Sequence, residues 1–275
     1  TAVVRIENAH TNITYVSVNG NVISETINEI KEAKSSTCPM TFDSIYEFAK
    51  TGDISGILPS IKQQVEYNSA ISNEGLFNDY GANIGRLLLL DDEIPSLETK
   101  CKARAAAGSD ARMSGCPLPV VICSGSGNQG LTVSMPIITT AEELGKTDEE
   151  LYRALVFANL LTLYVKSGIG KLSAYCGVVS AGIVSVAGIA FLKGDSKAII
   201  EDTLVNGLVS LSGIVCDGAK PSCAGKIAIS LDGAFMGYKQ ARLNKSYQKG
   251  DGLVAHSVDD TIKSIGVVAQ GMKET

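Results

Sequence analysis

Apolar and polar residues alternate through residues 3–6 (VVRI) and again through ITYVSV, the period of two half-buried strands, and Asn19-Gly20 between YVSV and NVIS is a two-residue hairpin signal. Helical spacing then predicts helices near residues 25–33, 54–69 and 74–90. In the middle of the chain PLPVVIC and LTVSMPII alternate like two strands around a glycine-rich loop. From Thr147 onward the pattern is helical, with helices expected over residues 148–166, 172–192, 196–216, 222–242 and 258–272. No internal repeat or low-complexity tract interrupts it. The expected fold class is therefore α+β and predominantly helical. A mixed α/β part with a β-hairpin occupies residues 1–146 and an all-helical part residues 147–275, and the two can pack as one unit.

Residues 172–192 (LSAYCGVVSAGIVSVAGIAFL) form an uncharged run between Lys171 and Lys193, long enough to cross a bilayer. Gly, Ala and Ser dominate it and no aromatic belt flanks it, which reads as a central helix buried on all sides. Gly177, Ala181, Ser185 and Gly188 recur every three or four positions, so neighbouring backbones can come close along that edge.

Composition narrows the partners. The 275 residues carry a net charge of -5, with 45% hydrophobic residues, 28 glycines and no tryptophan, and no basic stripe is interleaved with aromatics. Nucleic acid is excluded as a partner on that ground, and a membrane on the previous one. Seven cysteines without a signal-peptide pattern or a dense disulfide framework point to a reducing cytoplasm. The chain opens in strand-like alternation without a Met (TAVVRIENAH), as expected of part of a longer polypeptide.

Gly125-x-Gly127-x-x-Gly130 matches the dinucleotide fingerprint, but that motif needs a helix directly after it, and the strand expected at LTVSMPII rules the nucleotide reading out. What remains is a loop whose amides, with Ser124, Ser126, Asn128 and Gln129, can hold a carboxylate or phosphate, or a tight connection with no ligand. Arg112, in GSDARMSG, either grips a carboxylate with its two-pronged guanidinium or pairs with Asp110. His10 and His256 are the available imidazoles, and His10, beside the hairpin, is the better placed for function.

The stretch SGIVCDGAKPSCAG holds Cys216 and Cys223, seven residues apart. On one unbroken helix that spacing rises about 10.5 Å, too far for one small metal centre. Gly218 and Pro221 break it, so one helix should end near Asp217 and another start near Pro221, leaving both sulfurs at helix ends facing a shared loop. Cys223 then falls in a first turn, where unpaired amides and the helix dipole, with Lys220 nearby, favour thiolate. A third cysteine, Cys176, lies 40 residues before Cys216. These three are buried thiols, a redox pair or metal ligands. They lack the paired spacing of zinc sites, and three thiolates suit an iron–sulfur cluster with one iron left for substrate.

The blocks AAAGSDARMSGCPLPVVICSGSGNQGLTVSMPI, SAYCGVVSAG and SGIVCDGAKPSCAGKIA, in that order, resemble the L-cysteine desulfidase family, related to the alpha region of iron–sulfur L-serine dehydratases, along nearly the whole chain. The resemblance implies a 4Fe-4S cluster on Cys176, Cys216 and Cys223, whereas Cys38, Cys101, Cys116 and Cys123 match no ligand position. It implies β-elimination from a small amino acid, L-cysteine or L-serine, to pyruvate and ammonia, with sulfide released from cysteine. Arg112 and the 124–130 loop are then candidates for the substrate carboxylate, and Lys220, followed by His10, for the base. One departure stands out: the family's N-terminal region, with its Cys-Thr-Glu-Pro-like motif, has no counterpart here. A missing region or subunit is therefore an expected partner, the fragment alone can be inactive, and a homo-oligomer is expected. Two alternatives remain, a pyridoxal-phosphate lyase and a non-catalytic small-molecule-binding or redox-sensing protein.

Overall fold

The computed structural model describes residues 1–7, 12–26, 40–90, 93–170 and 173–272. It divides into two compact units, Thr1–Met40 and Thr41–Thr275. The first holds an antiparallel meander of β1 (Ala2–Ile6), β2 (Ile13–Val18) and β3 (Asn21–Glu25). Asn19 and Gly20 take φ of 52° and 83°, the left-handed pair that a two-residue turn needs to match strand twist. Glu25, expected to open a helix, closes β3 instead, and residues 27–33 of that predicted helix lie outside the described residues.

The second unit is helical: α1 (Phe42–Thr51), α2 (Leu58–Phe77), α3 (Ile84–Leu87), α4 (Leu97–Met113), α5 (Gly127–Leu144), α6 (Asp148–Ile169), α7 (Gly177–Lys193), α8 (Lys197–Leu211), α9 (Ser222–Arg242) and α10 (Val258–Gly271). The protein is thus α+β and predominantly helical. Thr147 caps α6, closing a capping box with Glu150, and α9 begins directly after Pro221. The helices expected over 54–69 and 74–90 are instead one long α2 and the single turn α3.

The strand expected at LTVSMPII is the body of α5, a correction with a clear cause. Every residue from Gly127 to Ala141 is buried, so the helix shows no amphipathic period, and its apparent polar positions are not a solvent face. Thr132, Ser134, Thr139 and Thr140 donate their hydroxyls to the carbonyls of Asn128, Gly130, Met135 and Pro136, four residues back. PLPVVIC forms no strand either, Cys123 making only an isolated bridge to Ser126. The glycine-rich loop therefore does run into a helix, but no strand precedes it, so the nucleotide reading still fails. Gly130 serves packing, because a Cβ there would stand 2.0 Å from the Val121 carbonyl oxygen.

The direction of the helices follows from their contacts. Gln129 lies against Gly177, Ser185 donates to Val133, and Gly188 meets Ile137, so α5 and α7 run parallel. Along the pair α4 and α9, Lys102 bonds Asp232 and Lys239 bonds Glu98, and along α4 and α5 Lys100 pairs with Glu143 while Arg112 reaches Asn128. α4 is thus antiparallel to both. The N-termini of α5, α7 and α9 gather at one end of the bundle, where α4 finishes. α7 is buried from Gly177 to Ala190, as its composition implied, and among the described residues no helix is long and apolar enough to cross a membrane.

Near that end Asp110, 1% exposed, accepts the Gly85 amide on Oδ2 at 3.0 Å while Oδ1 has no partner among the described residues. Burial pushes its carboxyl up to about 6. A carboxyl whose folded pKa exceeds its unfolded value is bound more tightly by protons in the folded state, so its contribution is present at low pH and lost as pH rises from about 4 to about 6. Asp110→Asn keeps an acceptor for Gly85 and removes the charge. Urea unfolding should find it more stable than the parent by about 1–2 kcal/mol at pH 7, the gain fading by pH 4. A difference independent of pH would contradict this account.

Candidate functional site

Cys176 and Cys216 are brought together by a short antiparallel bridge between Tyr175 and Val215. The Cys176 amide donates to the Ile214 carbonyl at 3.0 Å and the Cys216 amide to Ala174 at 2.7 Å. This pairing exists because α8 ends at Leu211 rather than near Asp217, leaving residues 212–216 free to cross the start of α7. Cys216 therefore lies in a loop and not at a helix end. Lys226, one turn into α9, ties that loop down through the Val215 carbonyl at 3.0 Å and the Asp217 carboxylate at 2.5 Å.

The influence of the Cys176 thiol holds Cys216 well below the ordinary thiol range, while Cys216 and burial raise Cys176. Cys176 is the N-cap of α7 and Cys223 the second residue of α9, and both are buried. Cys223 turns its thiol to the Gly218 carbonyl at 3.6 Å. Cys101 and Cys123 behave differently, since burial pushes both up to about 12, as expected of packed, inert thiols. Cys38 lies outside the described residues.

Arg112, half-buried in the last turn of α4, donates to Asn128 Oδ1 at 3.1 Å. Burial weighs against its charge and the Cys223 sulfur offsets this, and the guanidinium reaches α5 rather than forming an ion pair with Asp110. Asn128 and Gln129, in the first turn of α5, are buried, and the Gln129 amide lies flat on α7, where a Cβ on Gly177 would stand 2.6 Å from its nitrogen. Ser124 (φ 48°) and Ser126, the α5 N-cap, are half-buried in the tight turn feeding that helix. Arg112, Asn128, Gln129 and Cys176 thus sit together, with Cys216 and Cys223 beside them. Three helix N-termini add positive potential there.

Lys220 is exposed on the loop between Cys216 and Cys223, and His10 lies outside the described residues. Lys166, which the sequence reading missed, is 4% exposed near the end of α6 and makes no hydrogen bond or ion pair to another side chain among the described residues. Burial draws its ammonium below the ordinary lysine range, while Cys216 and Cys176 act in the opposite sense. A signal existed: Ala158, Leu161, Thr162, Val165, Lys166 and Ile169 are spaced as one helical face, with the lysine inside it.

The donor set can be tested against an iron–sulfur cluster. Among the described residues no three His, Cys, Asp or Glu side chains are close enough to hold a single metal ion. A four-iron cluster is wider than one ion, and its ligands need not touch. Three thiols on separate elements at one end of the bundle, two of them on paired backbone segments and one biased to thiolate, fit that group by chemistry.

Residues 17–275 match the family model described as serine dehydratase alpha chain. The chain is 48% identical over 278 residues to a UPF0597 protein of Desulfitobacterium hafniense, covering 98% of this chain and 64% of that protein. It is 46% identical over 275 residues to a UPF0597 protein of Finegoldia magna, covering 99% and 65% respectively. A UPF0597 protein of Treponema denticola is 41% identical over 284 residues, covering 100% and 66%. The chain therefore spans about two thirds of the length of these curated relatives. With a family match running through every element of the site, from Arg112 to Cys223, this chain belongs to the serine dehydratase alpha chain family.

Proposed function

We propose that the whole protein of which this chain forms part eliminates the β-substituent of L-serine or L-cysteine, yielding pyruvate and ammonia, and sulfide from cysteine. The observation that carries this reading is the Cys176–Cys216 pair and Cys223 gathered beside the Arg112–Asn128 pair, where three helices begin. Cys176, Cys216 and Cys223 would hold a 4Fe-4S cluster, which when bound supplies an iron without a protein ligand as a Lewis acid for the leaving hydroxyl or thiol. Arg112 holds the carboxylate in its fork, and Asn128 fixes the guanidinium plane. Lys166 contributes a buried positive charge that acts electrostatically on Cys176 and Cys216. Lys220, from the solvent side, and His10 are the candidate acceptors of the α-proton. Loss of that proton and of the β-substituent leaves aminoacrylate, which tautomerises and hydrolyses with one water to pyruvate and ammonium.

Full-length protein purified without oxygen should contain iron and acid-labile sulfide in equal amounts. It should form pyruvate from L-serine or L-cysteine, and turnover should survive a carbonyl-trapping reagent such as hydroxylamine. Turnover by iron-free protein, or its loss to hydroxylamine, would replace this reading with a pyridoxal-phosphate lyase. Iron without turnover would replace it with a redox-sensing or binding role.

A further inference from the structure

Gln129 contains an unmet requirement. Its side chain is 5% exposed and its Oε1 is buried without a hydrogen-bond partner among the described residues. Leaving such an acceptor unpaired costs about 1–3 kcal/mol, which a ligand donating to it would recover. The position is not accidental. The residue beside it, Asn128, holds Arg112 at 3.1 Å, and the amide is pressed onto Gly177, where a Cβ would stand 2.6 Å from Cδ and 2.9 Å from Oε1. Gly177 follows Cys176 in the chain, so the orphan acceptor packs against the start of α7, one residue from a candidate ligand, while its own neighbour holds Arg112.

In an α-amino acid the carboxylate and the ammonium are borne on one carbon. A carboxylate seated on Arg112 therefore presents its α-nitrogen to the same small volume, and Gln129 Oε1 is an acceptor there with no donor of its own. The Arg112 guanidinium and the amides of three helix N-termini are suited to an anion, since they donate and cannot accept. A ligand bearing only a carboxylate would leave Oε1 unpaired, whereas a zwitterion satisfies both ends.

We infer that Gln129 accepts a hydrogen bond from the α-ammonium of the substrate, so that the site selects free α-amino acids over carboxylates lacking the amino group. This rests on the reading under Proposed function, and it reassigns Gln129 from the carboxylate to the opposite end of the substrate. Recognition of the nitrogen by a neutral oxygen leaves the ammonium unneutralised, which keeps the α-proton acidic.

The test compares L-alanine, which has no β-substituent to lose, with propanoate, which differs from it only by the ammonium. Calorimetric binding to the anaerobic full-length protein should favour L-alanine by at least about tenfold, the effect of one charge-assisted hydrogen bond. Gln129→Met should abolish that preference while leaving propanoate affinity within about twofold, and Gln129→Glu should retain the preference and weaken propanoate further. A preference that survives Gln129→Met, no preference in the parent, or no binding of either ligand overturns the inference. Should Gln129→Met not fold, loss of the preference in Gln129→Glu overturns it. Formation of pyruvate from L-serine or L-cysteine by the parent is scored separately, so the selectivity can fail while the elimination reading stands.

Discussion

Cys216→Ala in the full-length protein should yield a chain without iron or acid-labile sulfide and with pyruvate formation reduced by at least about 10³-fold. The Lewis-acid contribution of a bound metal centre is several kcal/mol, and each 1.36 kcal/mol is tenfold in rate. Cys216 is the sharpest of the three ligand tests because its side chain is the one held toward thiolate, by the Cys176 thiol, and because its loop is anchored at both ends. Cys176→Ala and Cys223→Ala should behave alike. Cys101→Ala and Cys123→Ala serve as controls. Both remove buried thiols outside the site, so each should lower stability and leave iron content per folded chain unchanged. Retention of a full complement of iron and sulfide by Cys216→Ala would end the cluster assignment.

The second large effect is expected at Arg112. Arg112→Lys preserves the charge but loses the planar fork and the bond that Asn128 uses to orient it. A hydrogen bond to a charged group is worth about 1.5–3 kcal/mol, so kcat/KM should fall by about 10²-fold, with L-serine and L-cysteine affected equally because their carboxylates are identical. Iron content should be unchanged, which separates this variant from the cysteine series. Undiminished kcat/KM in Arg112→Lys would move the carboxylate elsewhere, with Lys166 and Lys226, whose charges act on Cys176 and Cys216, as the other candidate cations.

Where local chemistry dictates local structure, the chain was legible. Asn19-Gly20 builds its hairpin because both residues tolerate positive φ, Thr147 and Glu150 start α6 by satisfying free amides, and Pro221 can only stand at a helix entrance. The site was legible in another way. The residues brought Cys176, Cys216 and Cys223 forward but left their role undecided, and only the resemblance implied that they are ligands. Arg112, Asn128 and Gln129 are legible as candidates, but the Arg112–Asn128 contact is not, because the sequence pattern predicts no helix at α4 and a strand at α5.

Periodicity reports which face of an element meets water. α5 and α7 meet none, so their sequences carry composition without phase, and the hydroxyls of α5 satisfy themselves inside their own helix. The end of α8 was misplaced for a related reason. Residues 212–216 leave the helix to pair with the strand-like entry of α7, a partner about 40 positions away that no local preference encodes.

The amino-acid order thus determined the turns, the caps, the small-residue edge of α7 and the identities of the groups available for chemistry. Packing alone decided that α5, α7 and α9 begin at the same end, that Lys166 is enclosed within the electrostatic reach of two thiols, and that Gln129 Oε1 meets no donor among the described residues. Those outcomes depend on long-range burial, in which an atom's environment is set by residues far along the chain.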